Sequence, residues 1–250
     1  MTRPVAAEPF WLTAFLDYPA GEFDAGVGFW RAATGYGLSS PRGEAGEFAT
    51  LVPPSGDDYL RVQRLGEGPT GLHLDVHVAE PWTAAEAAIV AGAELVEESP
   101  HGLFVLRSPA GFPFCLVTKQ AEVVPPPAEW PAGHRSRVSR FCLDVPRHRY
   151  EDEVTFFHHV LGGQWLTAPE PETALRLAGS AAIDIRLQPA ELARSVTAHL
   201  HVTTDDLEAE VARLSAHGAM PRASRRGKTI LEAPGGTALC VVALEAGELA

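Results

Sequence analysis

The chain has 250 residues, 46% of them hydrophobic and 21% charged, enough for one or two cores of ordinary domain size. Thirty-two acidic against twenty basic residues leave a formal net charge of −12, and with both halves acidic a phosphate-backbone partner is excluded. No apolar stretch approaches the ~18 residues of a membrane helix, and Met1 to Phe10 has neither the basic start, the apolar stretch nor the cleavage site of a secretory signal.

Residues 10–18 read as a strand, and 24–34 as a helix begun by Asp24 and ended near Gly35. Segments 47–53 and 58–65 form an expected hairpin, followed by a strand over 71–79. A helix over 84–91 is expected from the capping-box spacing of Thr83 and Glu86, with Gly92 as its left-handed cap. Short strands follow near 95–98, 103–107 and 113–118. Residues 119–133 hold a run of prolines and read as an extended linker. Beyond it the same order returns. In the last helix Asp205 and Glu208 mark the start and Gly218 the stop, while Leu207, Val211 and Leu214 mark a buried face.

The return is a repeat in the sequence itself. "GLHLDVHVAE" matches "TAHLHVTTDD", with His73 opposite His199, and "RSPAGFPFCLV" matches "EAPGGTALCVV", with Cys115 opposite Cys240. "FLDYP" and "FWRAATGY" match "CLDVP" and "FFHHVLGG", and Gln63 in "LRVQRL" answers Gln188 in "IRLQPA". The expected organisation is a first domain over 1–119, a Pro-rich linker over 120–136 and a second domain over 137–250. Each domain divides again into two units of strand, helix and a short run of strands.

Those strings in that register resemble the vicinal oxygen chelate superfamily, which includes glyoxalase I, bleomycin-resistance proteins and extradiol dioxygenases. The resemblance spans about 10–119 and 137–243. It implies an α+β fold of four βαβββ modules that form two partly closed β-barrel cups, each able to hold a small ligand. The modules can pair within each half, or the first with the fourth and the second with the third. Because the chain is duplicated, a monomer is expected in place of a dimer of single domains.

Superfamily enzymes hold one divalent metal with three or four His, Glu or Gln side chains. Their strand histidine maps to His73 and His199, and their closing glutamate to Cys115 and Cys240. The other positions fall near Trp11, near Arg137 to Ser139, near Arg61 to Gln63 and near Arg186 to Gln188. One plausible ligand per cup therefore remains. No metal or other cofactor is expected, and any divalent ion would rest on His73 or His199.

The residues read on their own allow slightly more. Side chains two apart on a strand share a face, so His73 with Asp75 and His199 with His201 can act together, whereas His77 stands ~13 Å from His73. Cys115, Cys142 and Cys240 are widely spaced and read as reduced thiols in a cytoplasmic protein. Cys115 and Cys240 sit in apolar strands as buried, unreactive thiols. Aromatic residues are plentiful enough to line an apolar cup. The expected ligand-binding set is Trp11, Gln63, His73, Asp75, Phe114, Gln188, His199 and His201, with no catalytic residue assigned. Two functions follow: sequestration of a small apolar or aromatic molecule, as in bleomycin resistance, or metal-dependent lyase, isomerase or dioxygenase chemistry at a divergent site.

Overall fold

The structure, a computed structural model, describes residues 8–100, 102–162, 164–166, 173–176, 182–225 and 227–244. The first half contains β1 (Trp11–Pro19), α1 (Phe23–Thr34), β2 (Gly37–Leu38), β3 (Phe48–Val52), β4 (Leu60–Leu65), β5 (Gly71–His77), α2 (Pro81–Val90), β6 (Glu94–Glu98), β7 (Phe104–Arg107) and β8 (Pro113–Val117). The short β9 (Ala128–Glu129) pairs with the start of β10 (Arg135–Pro146), so the Pro-rich segment ends in a small hairpin and is not extended throughout. Then come α3 (Tyr150–Leu161), β11 (Gln164–Leu166), β12 (Thr173–Arg176), β13 (Asp184–Ala190), β14 (Thr197–Thr204), α4 (Leu207–Ala216), β15 (Met220–Arg225), β16 (Lys228–Glu232) and β17 (Ala238–Ala243).

Two sheets result, ordered β2-β3-β4-β1-β5-β8-β7-β6 and β11-β12-β13-β10-β14-β17-β16-β15. Each is an open path with two edges, an α+β arrangement in which the repeat is visible strand for strand. The central position of β1 and β10 explains why their side chains are buried on both faces. The outer strands β6 and β15 are exposed along their whole length and carry Glu94, Glu97 and Glu98, or Arg222 and Arg225. Each also has a bulge, and β15 has Pro221. Charge, bulge and proline all blunt a sheet edge.

Helix starts depart from the expected signals. Pro81 occupies the first turn of α2, where its fixed φ and missing N–H are tolerated, and Thr83 lies inside the helix. Asp206, not Asp205, caps α4 by accepting from the Ala209 N–H at 3.0 Å. Asp205 instead accepts the N–H of Arg135 at 2.7 Å. Gly92 and Gly218 both follow their helices at positive φ, 112° and 100°. The buried side of α4 is Glu210 with Leu214, while Leu207 and Val211 are only half-buried. Among the described residues no helix is long and apolar enough to cross a membrane.

Two compact units form, each drawing on both halves of the sequence: the described residues of 1–14, 72–124 and 142–198 in one, and of 15–71, 125–141 and 199–250 in the other. In the first unit Phe112 and Phe114 pack edge-on or tilted against Phe157, and Phe114 also meets Phe156. Glu153 of α3 is fully buried and accepts from the Ser108 hydroxyl and, at 2.9 Å, from the Ala110 N–H. Burial raises its carboxyl above the ordinary 4.5, and those two bonds only partly offset the cost.

The second unit treats a buried carboxylate differently. Burial also opposes charge on Glu210, but the Arg213 guanidinium, with help from His134 and Ser136, outweighs it and lowers the carboxyl below 4.5. Arg213 goes on to donate to the Ala32 and Ala33 carbonyls at the end of α1 and lies 3.4 Å above the Trp130 ring. Tyr18 closes this unit by bonding Thr237 at 2.6 Å and accepting from Trp30 at 2.9 Å, with burial pushing its hydroxyl up to about 12.

Candidate functional site

The chemistry of the first half gathers on β5 and β8, which run parallel with Asp75 beside Cys115 and Leu74 beside Phe114. Alternation sends His73, Asp75 and His77 to one face of β5 and Leu72, Leu74 and Val76 to the other. In-register neighbours share a face, so Cys115 joins the polar set and Phe114 joins the leucines. The ligand atoms of His73, Asp75 and Cys115 all lie within 4.8 Å of one another. His73 Nε2 and Asp75 Oδ1 are 3.9 Å apart. Cys115 and Asp75 are buried, and the His73 side chain keeps 14% of its surface exposed.

A nitrogen, an oxygen and a sulfur donor at that spacing fit a divalent ion. Zinc bonds of ~2.0–2.3 Å to such ligands put tetrahedral neighbours ~3.3–3.6 Å apart, so a set within 4.8 Å needs to close by no more than about 1.5 Å. Three protein ligands would also leave one position open for a further ligand. The reading of one ligand per cup is therefore too low for the first half, because parallel pairing brings Cys115 alongside Asp75. "FPFCLV" contains the signal, since an apolar strand that turns one thiol away from its phenylalanines presents that thiol to the opposite face.

The remaining expected residues separate. Phe114 is fully buried in the cluster with Phe156 and Phe157, on the face turned away from His73. Trp11 is fully buried on β1. It shares a strand face with Thr13, whose hydroxyl is 2.9 Å from His77 Nε2, and so lies on the His73 side of the sheet. His77 Nδ1 meets the Lys119 carbonyl at 2.7 Å and donates to it. His77 is thus held through both ring nitrogens in a structural role. Gln63, half-buried on β4, stands opposite Phe48.

In the second half Gln188 donates to Asp144, joining β13 to β10. His199 and His201 share a face of β14 with their Nε2 atoms 3.1 Å apart, one donating and one accepting. This pair belongs to a second group of side chains able to hold an ion. His201 stands in register with Cys240 on parallel β17, as Asp75 does with Cys115. Trp165 lies on β11, where side chains fall outside the described residues. Open cavities of about 420 Å³ lie elsewhere: one between α2 and α3, lined by Val90, Pro109, Asp152, Phe156 and His159 among others, and one beside α4.

Known proteins bear on this geometry. A family model described as a glyoxalase-like domain matches residues 13–117 and again 140–242. The chain is similar in fold to an Mn(II)-bound glyoxalase from Novosphingobium aromaticivorans, with a TM-score of 0.62 at 21% identity over 98% of this chain and 84% of that one. It is similar to the 2,3-dioxygenase LapB from Pseudomonas sp. KL28, with a TM-score of 0.63 at 14% identity, covering 96% and 93%. An extradiol ring-cleaving dioxygenase from B. fuscum gives 0.63 at 12% identity, covering 100% and 77%. No curated protein sequence matches the chain.

Proposed function

Since the chain belongs to the glyoxalase-like domain family, in two tandem copies that place it in the vicinal oxygen chelate superfamily, we propose that it binds a small oxygen-bearing organic molecule beside a divalent ion held by His73, Asp75 and Cys115. The observation that carries this reading is the convergence of those three donor atoms within 4.8 Å. Two of them, the Asp75 carboxylate and the Cys115 thiol, are buried. A buried acid and a buried thiol are costly to ionise alone, and a dication balances both charges.

The chain's own residues divide the work. Asp75 and Cys115 bring negative charge, and His73 supplies a neutral nitrogen near the solvent side. A bound ion supplies a Lewis-acid contact for the ligand's oxygen. Proteins similar in fold include a glyoxalase and dioxygenases by name, so turnover is the alternative to sequestration.

Elemental analysis and native mass spectrometry of the full chain, after incubation with zinc, manganese, nickel or iron, test this reading. Acetohydroxamate serves as an oxygen-donor probe. About one ion lost with His73→Ala, and probe binding only to the metal-loaded protein, are the expected results. A chain that takes up no ion under any of these conditions overturns it.

The second half supports a second reading. His199 and His201 share one hydrogen bond at 3.1 Å, and an ion between them must break that bond. A ligand captured by that pair through hydrogen bonds alone would survive treatment with a chelator.

A further inference from the structure

We infer that Cys115 makes the first-half site select thiophilic zinc over the harder manganese, and that this selectivity is set by the thiolate as a direct ligand. The inference rests on the metal-binding reading above and goes beyond it, since that reading leaves open which divalent metal the three donors prefer.

The argument begins with the strands. Parallel β5 and β8 hold Asp75 and Cys115 side by side, with the Cys115 sulfur within 4.8 Å of the His73 nitrogen and the Asp75 oxygen. Donor softness separates the metals: thiolate favours zinc, whereas carboxylate, carbonyl and water suit manganese. Zinc also accepts the four-coordinate geometry that three protein ligands and one open position provide. Manganese favours six oxygen-rich positions, and His73, Asp75 and Cys115 contribute a single carboxylate among three donors. Charge adds to the effect, because one carboxylate and one thiolate neutralise a dication in a place where two of the three ligands are buried.

Proton balance gives an independent signature. Zinc binds cysteine as the thiolate, so a zinc–Cys115 bond would form with release of the thiol proton. The thiol proton passes to buffer and no electrons move.

The test uses the full chain stripped of metal. Cobalt serves as a spectroscopic stand-in for zinc, and a thiolate ligand adds a ligand-to-metal charge-transfer band in the near ultraviolet. That band is expected in the unaltered protein, lost in Cys115→Ser and kept in Cys142→Ser, which alters the other cysteine found in a group able to hold an ion. Zinc binding should release about one more proton in the unaltered protein than in Cys115→Ser at pH 7. The ratio of zinc to manganese affinity should fall at least ~10-fold in Cys115→Ser, a comparison that removes the general preference of nitrogen and oxygen sites for zinc. Cobalt bound to the unaltered chain without the band overturns this inference and removes Cys115 from the ligand set, while ion uptake lost with His73→Ala would still support metal binding at His73 and Asp75. An unchanged zinc-to-manganese ratio in Cys115→Ser overturns it as well. Failure to bind cobalt, zinc or manganese overturns both.

Discussion

The β5–β8 segment of the first half and the β14–β17 segment of the second have the same parallel pairing and different chemistry. A histidine begins the polar face in each, His73 and His199, and a cysteine stands in register two residues later, Cys115 and Cys240. Between them the first half has Asp75 and the second His201. With aspartate, the pair sits 3.9 Å apart and brings a negative charge. With histidine, the two Nε2 atoms stand 3.1 Å apart and share one hydrogen bond. One substitution in a duplicated frame thus separates a donor set that carries a carboxylate from one in which two imidazoles share a hydrogen bond.

The comparison can be broken first on the opposite face. Phe114→Ala removes a ring packed on Phe156 and Phe157 and is expected to cost about 3–5 kcal/mol in urea unfolding. Leu239→Ala, its counterpart on β17, is expected to cost about 2–5 kcal/mol. Neither change should alter zinc affinity. A large loss of zinc in Phe114→Ala, with the fold intact, would mean that the two faces of β8 are not separate.

Ligand removal tests the polar face itself. Asp75→Ala should lower zinc affinity by ~100-fold or more in chelator competition, since even outer-shell partners of metal ligands are worth ~10–100-fold. His201→Ala should leave that first-half affinity within a few-fold. Equal losses from the two changes would make the halves equivalent and remove the contrast.

Buried polar groups sharpen the comparison between the two compact units. Tyr18→Phe strips the partner from the Trp30 N–H and from Thr237, and an unfolding loss of about 1–3 kcal/mol is expected. The smallest effects are in pH dependence. Glu153 has a raised folded value, so its contribution is present below 4.5 and is lost as pH rises through that raised value. Glu210 has a lowered one, so its contribution is present above 4.5 and is lost as pH falls through the lowered value. Relative to Glu153→Gln, the unaltered protein should therefore weaken on the alkaline side of 4.5. Relative to Glu210→Gln, it should weaken on the acid side. Unfolding curves that run parallel from pH 3 to 7 for either pair would contradict the corresponding assignment.

Much of the fold was legible because it is written twice. The matched strings around His73 and His199, and around Cys115 and Cys240, led to the superfamily and to strand, helix and strand runs close to those observed. Local signals were less dependable at helix starts. Thr83 lost to Pro81, and Asp205 to Asp206, because a proline suits the first turn and because Asp205 is occupied by Arg135. The two-residue β2 had no pattern long enough to be read.

The site was legible only in part. Period-two alternation on one strand decided that His73 and Asp75 share a face, and likewise His199 and His201, since that depends on local geometry alone. Alternation within β8 could equally be read to separate Cys115 from Phe114. Which strand lies next to which, and in what register, is a property of the assembled sheet. Parallel pairing of β5 with β8, 40 residues apart where Asp75 meets Cys115, turned an apparently inert thiol into the third donor of a set and consigned Phe114 to the core. Sequence alone determined the repeat, the family and the facing of neighbours along one strand. Tertiary structure decided which donors converge, because non-local strand register is fixed by the packing of whole faces and by no short run of residues.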